Sequence, residues 1–122
     1  MIHTETEVWK AAMNLAVDVY HATERLPGTE QYGLVAQLNR AAVSVPSNIA
    51  EGAGRATNRD KRRFLIDARG SLNEVATQIE LCRRLGFMTD TTRLSASVTR
   101  VRQLLAGTIR SLTARLSVAD NG

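Results

Sequence analysis

The chain has 122 residues, 43% of them apolar, with only five aromatic side chains (Trp9, Tyr20, Tyr32, Phe64 and Phe87). That suits one domain with a modest aliphatic core, and the lack of regularly spaced turn-bounded β-rich segments excludes a sheet sandwich, leaving an all-α fold. Sixteen basic residues against twelve acidic give a net charge of +4, and all but two of the bases are Arg, which holds its charge and grips phosphate with a planar fork of donors.

The first helix is expected over about 5–25, with Val8/Trp9, Ala12/Met13, Ala16, Val19/Tyr20 and Leu26 as its apolar stripe. Thr4 with Glu7 three residues later reads as a capping box, and Pro27-Gly28 as the stop. The second helix, about 30–54, turns Leu34, Leu38, Ala41/Ala42, Val45 and Ile49 inward and ends at a left-handed cap on Gly52 or Gly54. Pro46 interrupts it, removing a backbone donor and crowding the Ala42 carbonyl, so the segment reads as one helix kinked near Pro46. Two shorter helices, with Ser44 as N-cap, is the competing reading.

Thr57 or Asn58 caps a third helix over about 58–85, where Leu65, Ala68, Leu72, Val75, Ile79 and Cys82 follow the spacing of a bundle seam. Gly70 inside it suggests a close helix crossing. Cys82 falls on the apolar face and is alone, so no internal disulfide forms. A fourth helix, about 90–118, carries Leu94, Val98, Val101, Leu105, Thr108, Leu112 and Leu116, and residues 119–122 are expected to fray. The sum is a single domain over 1–122, an antiparallel up-down-up-down four-helix bundle.

Several segments resemble a known family. Trp9, Tyr20, Leu26-Pro27, Glu30, Tyr32-Gly33-Leu34, Gln37 through Ala42, Ser44, Pro46-Ser-Asn-Ile-Ala-Glu-Gly52 and Gly54-Arg55 are similar to the bacterial four-helix-bundle proteins. Those include the 23S ribosomal RNA intervening-sequence proteins and the accessory variability determinants of diversity-generating retroelements. Phe64-Leu65 and Ala68 through Glu74 extend the match, which covers about residues 8–88. The resemblance implies a homopentameric bundle with basic surfaces and, for the retroelement members, binding to nucleic acid and to a reverse transcriptase.

Five bases in nine residues, Arg55, Arg59, Lys61, Arg62 and Arg63, crowd the junction of helices two and three, with Arg69 further along. Repeated around an oligomer they would form a belt able to neutralise many phosphates of RNA or DNA. The competing readings are a solvated face, dipole complementation by Arg83 and Arg84, and pairing such as Arg63 with Asp67. No zinc-finger spacing, recognition-helix motif or aromatic platform accompanies the bases, so binding is expected to be sequence-blind. A protein-protein scaffold without a nucleic-acid role is the alternative function.

Arg40, Asn48 and Glu51, set among small residues with Pro46 and Gly52, read either as a surface site or as a buried network fixing the second helix, and the tight Ala/Ser/Gly surroundings favour the network. Catalysis is not expected. His3 and His21 lie far apart, no Cys/His cluster has metal-ligand spacing, no serine has a neighbouring His, and Gly52-Ala-Gly54 lacks the Lys of a phosphate loop. Neither a cofactor nor a metal is therefore expected. The acidic first residues lack the apolar segment of a secretory leader, and no apolar run nears the ~20 residues that span a bilayer. A soluble, cytoplasmic protein is the expectation.

Overall fold

Three of the helices in this chain start where a short polar side chain meets an orphan backbone N–H. Thr6 Oγ1 accepts from the Trp9 amide (3.3 Å) and Thr57 Oγ1 from the Asp60 amide (3.1 Å), opening the first and third helices. Asp90 accepts from the Thr92 amide (3.0 Å), a bond that holds its carboxyl below the usual carboxylate range.

The computed structural model describes residues 2–121, with side-chain surroundings for residues 2–118. Four long helices follow in order: α1 (Glu7–Thr23), α2 (Ala36–Ala53), α3 (Asn58–Arg84) and α4 (Thr92–Asn121). No strand occurs among the described residues, and no helix is long and apolar enough to cross a membrane. Of the segment expected to fray, α4 includes residues up to Asn121, and Gly122 lies outside the described residues.

α1 and α3 each pack against both α2 and α4. Polar links run between their ends: Thr23 late in α1 lies 2.9 Å from Asn39 early in α2, and Arg62 early in α3 donates to Thr113 late in α4 (2.7 Å). Asp18 in α1 meets Arg93 at the start of α4 (3.2 Å). Each link joins the end of one helix to the beginning of its neighbour, the register an antiparallel bundle requires. Between them lies an aliphatic core whose fully buried members include Leu15, Val19, Leu38, Val45, Leu72, Val75, Val101 and Leu105. The α3 seam is as expected, all six residues from Leu65 to Cys82 being buried. Burial also pushes the Cys82 thiol up, so it behaves as a small apolar side chain.

Several details differ from the sequence reading. The cap of α1 is Thr6 rather than Thr4, because His3–Glu5 forms a separate 3-10 turn before the helix. Met13 and Tyr20 are 38% and 46% exposed, while Leu15 is fully buried. At 3.6 residues per turn the line Val8–Ala12–Leu15–Val19 faces inward and carries Met13 and Tyr20 round to the flank. On α4 Ile109 takes the buried position expected of Thr108, which is half-buried.

α2 is one helix with a buried Pro46 inside it, not two. A departure from helical φ/ψ lies at Gly33 (φ −102°, ψ −109°), in a π-helical turn over Gln31–Val35 that follows a 3-10 turn over Gly28–Glu30. The regular helix therefore starts at Ala36, later than the sequence suggests. Gly54 ends α2 with a right-handed φ of −85°, so neither Gly52 nor Gly54 is a left-handed cap. The left-handed glycine is Gly86 (φ +79°), just beyond α3.

Gly52 has a different task. A Cβ built there would lie 3.1 Å from the Phe64 Cβ and 3.2 Å from the Lys61 carbonyl oxygen, so its absence sets how closely α2 and α3 approach. At Gly70, where a close crossing was expected, a Cβ would meet nothing within 4 Å. Ala in place of Gly is worth up to about 1 kcal/mol in a helix interior, and forced overpacking typically costs about 1–3 kcal/mol. Gly70→Ala should therefore raise stability by roughly 0.5–1 kcal/mol, and Gly52→Ala should lower it by about 1 kcal/mol. Urea unfolding at matched protein concentration checks the pair, and equal shifts would contradict the assignment of Gly52 as the contact glycine.

Candidate functional site

The helix crossing at Gly52 brings the end of α2 and the first turns of α3 together, and with them Arg55 and the bases Arg59, Lys61, Arg62 and Arg63, while Arg69 lies further along α3. Phe64 is the organising side chain. The Arg55 guanidinium lies 4.5 Å and that of Arg63 4.6 Å from the centre of its ring, within cation-π distance. Each also has a carboxylate, Glu51 for Arg55 (3.0 Å) and Asp60 rather than Asp67 for Arg63 (3.8 Å). Arg62 donates to the Thr113 hydroxyl, which leaves it anchored without neutralising its charge. Arg59 and Arg69 are exposed and Lys61 is half-buried, and none of the three has an ion-pair partner among the described residues.

The bases toward the other end of α3 are compensated differently. Glu80 accepts from both Arg83 (2.6 Å) and Arg84 (3.0 Å), and Arg93 is held by Asp18. Hydrogen bonds from Arg83 and Arg84 lower the Glu80 carboxyl from 4.5 to about 2. Arg102 donates to the Asn73 amide oxygen (2.7 Å). Charge is thus answered by carboxylates near the end of α3 and left largely open at its start.

Arg40, Asn48 and Glu51 do not form the joint network the sequence suggested. Asn48 donates to the Ser44 carbonyl (2.9 Å) and Ser44 hydroxyl (3.0 Å), and the Ser44 and Ser71 hydroxyls share a hydrogen bond of 2.8 Å across α2 and α3. Glu51 points to the surface and pairs with Arg55, and Arg40 is exposed. Arg40, Ser44 and Asn48 follow one another at i,i+4 on α2, yet Asn48 turns to Ser44 and Glu51 to Arg55 rather than to Arg40. The sequence reading passed over two participants, Phe64 as a guanidinium platform and Ser71 as the partner of Ser44. An aromatic directly after Arg62-Arg63 was the available signal for the first; the second depends on how α2 and α3 align.

Glu80 supplies a check on this charge pattern. Its folded carboxyl titrates below its ordinary value, so its contribution is complete above pH 4.5 and is lost as pH falls toward about 2. NMR titration of the side-chain carboxyl should give a midpoint near 2, and Arg83→Gln with Arg84→Gln should return it toward 4.5. A midpoint near 4.5 in the unmodified chain would show that these surface pairs do not persist in solution.

Comparison with curated proteins finds no match. A family model described as "23S rRNA-intervening sequence protein" matches residues 4–107, a span that holds α1, α2, α3, the Pro46–Gly52 segment, the Phe64 platform and the first half of α4. The chain belongs to the 23S rRNA-intervening sequence protein family.

Proposed function

We propose that this protein is a non-catalytic, self-associating helical bundle that holds nucleic acid, RNA or DNA, by its phosphates and without sequence readout. Arg59, Lys61, Arg62 and Arg69 make the direct contacts, and Arg55 and Arg63 complete the patch around Phe64. The observation that carries this reading is the contrast in counter-charge: Arg83, Arg84 and Arg93 are answered by carboxylates, whereas Arg59, Lys61, Arg62 and Arg69 are not. The placement is also adverse for stability. Helix macrodipoles are positive at the N-terminus, where acids rather than bases stabilise, yet Arg59, Lys61, Arg62 and Arg63 occupy the first turns of α3. The same polarity favours a bound anion, so a phosphate there would relieve the repulsion.

Gel-shift titrations with duplex DNA and structured RNA test the proposal. Binding is expected at about 50 mM salt and should weaken by orders of magnitude by about 200 mM, as counterion release requires. Arg59→Gln with Lys61→Gln should weaken all sequences alike and flatten the salt dependence by about two phosphate contacts. No binding of either nucleic acid at about 50 mM would end this reading.

Self-association draws on two exposed apolar faces as well as on the family resemblance to pentamers. Met13, Val17 and Tyr20 form a strip on α1 at i, i+4 and i+7, and Leu81 in the last turn of α3 forms another with Leu85 just beyond it. Because the two faces differ, pairing one with the other is head-to-tail, the arrangement that forms a ring where the rotation closes. Light scattering should give about five times the chain mass of 13.4 kDa, and Val17→Glu or Leu81→Glu should reduce it. A monomer at micromolar concentration would overturn the ring. The same faces support a second reading, a scaffold for another protein such as a reverse transcriptase. Nuclease-resistant co-purification of a defined partner by a chain that does not bind nucleic acid would favour it.

A further inference from the structure

A polar cleft of about 320 Å³ opens between α2 and α3, on the side of the Ser44–Ser71 hydrogen bond and separate from the Phe64 patch. Gln37, Arg40 and Ser44 line it from α2, and Ser71, Glu74 and Gln78 from α3. Their spacings of three and four residues place each trio along one helix face. What distinguishes the cleft is that its strongest groups are unmatched. Gln78 Oε1 is buried with no hydrogen-bond donor, the one such side-chain atom among the described residues. Arg40 and Glu74 border the same space with opposite charges, yet they form no ion pair with each other or with any described residue. The floor, by contrast, is fixed: Asn48 donates to Ser44, and Ser44 is bonded to Ser71.

We propose that this cleft is a binding site for a free α-amino acid, recognised as a zwitterion. The ligand carboxylate meets the Arg40 guanidinium, whose forked donors suit a carboxylate. Its ammonium donates to the Glu74 carboxylate, and a turn of the Gln78 side chain toward the cleft would bring its unpartnered oxygen to the same ammonium. A cation and an anion held apart across one cleft select a ligand carrying both charges over one carrying either alone. The volume lies near the lower limit of small-molecule sites, which fits a metabolite of amino-acid size rather than an oligomer.

The test is a calorimetric and NMR titration of the full chain with each of the common L-amino acids, alongside acetate and methylammonium as single-charge probes. At least one amino acid should bind and shift the amide signals of Ser44, Ser71 and Gln78, whereas neither single-charge probe should do so at equal concentration. Arg40→Gln and Glu74→Gln should each weaken that binding by about tenfold or more while leaving the thermal midpoint of the free protein unchanged, since charge-assisted hydrogen bonds are the strong ones. Both side chains are exposed and unpaired, so loss of fold is not a competing explanation. The proposal is overturned if no amino acid binds at about 10 mM, if acetate binds equally well, or if both variants bind as the original chain does.

Discussion

The close approach of α2 and α3 at Gly52 is the constraint on which the arrangement of the charged surface depends. With no Cβ on Gly52, the Lys61 carbonyl and the Phe64 side chain come nearer than any other residue type would comfortably allow. Phe64 is thereby held against α2, within reach of Arg55 beyond the end of that helix and Arg63 on its own. One missing side chain thus determines where two guanidiniums lie. Just beside them, Lys61 and Arg62 are carried on the same turn of α3, with Arg62 steadied by a hydroxyl from α4.

Stability and charge placement pull in different directions along α3. Its last turn follows the rule that cations complement the negative end of a helix, and Glu80 shares two of them. Its first turns violate that rule, with only Asp60 acting in the favourable sense. Exposed ion pairs contribute little in water, so the aliphatic core must carry most of the folding free energy. That leaves the surface free to hold an unfavourable cluster of charge.

Much of the fold was legible in the sequence because the apolar rows of α3 and α4 keep a strict helical spacing, and Leu65 through Cys82 fall inward as that spacing demands. The four helices, the Thr57 cap and the buried cysteine follow from local pattern. What local pattern could not supply was alignment between helices. Gly52 and Gly70 look alike in sequence, and only the packing of α2 on α3 makes one a contact and the other a surface position. Arg40, Asn48 and Glu51 lie close together on α2, yet Asn48 bonds to Ser44 and Glu51 pairs with Arg55 rather than with one another. Arg55 and Arg63 come together on Phe64, but which bases are already neutralised depends on side-chain partners that composition does not encode.

The connection between α1 and α2 has a character of its own. Its two short turns, Gly28–Glu30 and Gln31–Val35, contain no fully buried residue, and Tyr32 within them is 90% exposed. Leu34 and Val35 pack against the core, but Gly28 through Tyr32 bury no apolar side chain, so the amides of that stretch should exchange with solvent through local fluctuations while those of the long helices wait for larger openings. Gly28 through Tyr32 is the natural point at which the chain tolerates inserted residues, since lengthening it there leaves Leu34 and Val35 on the aliphatic interior.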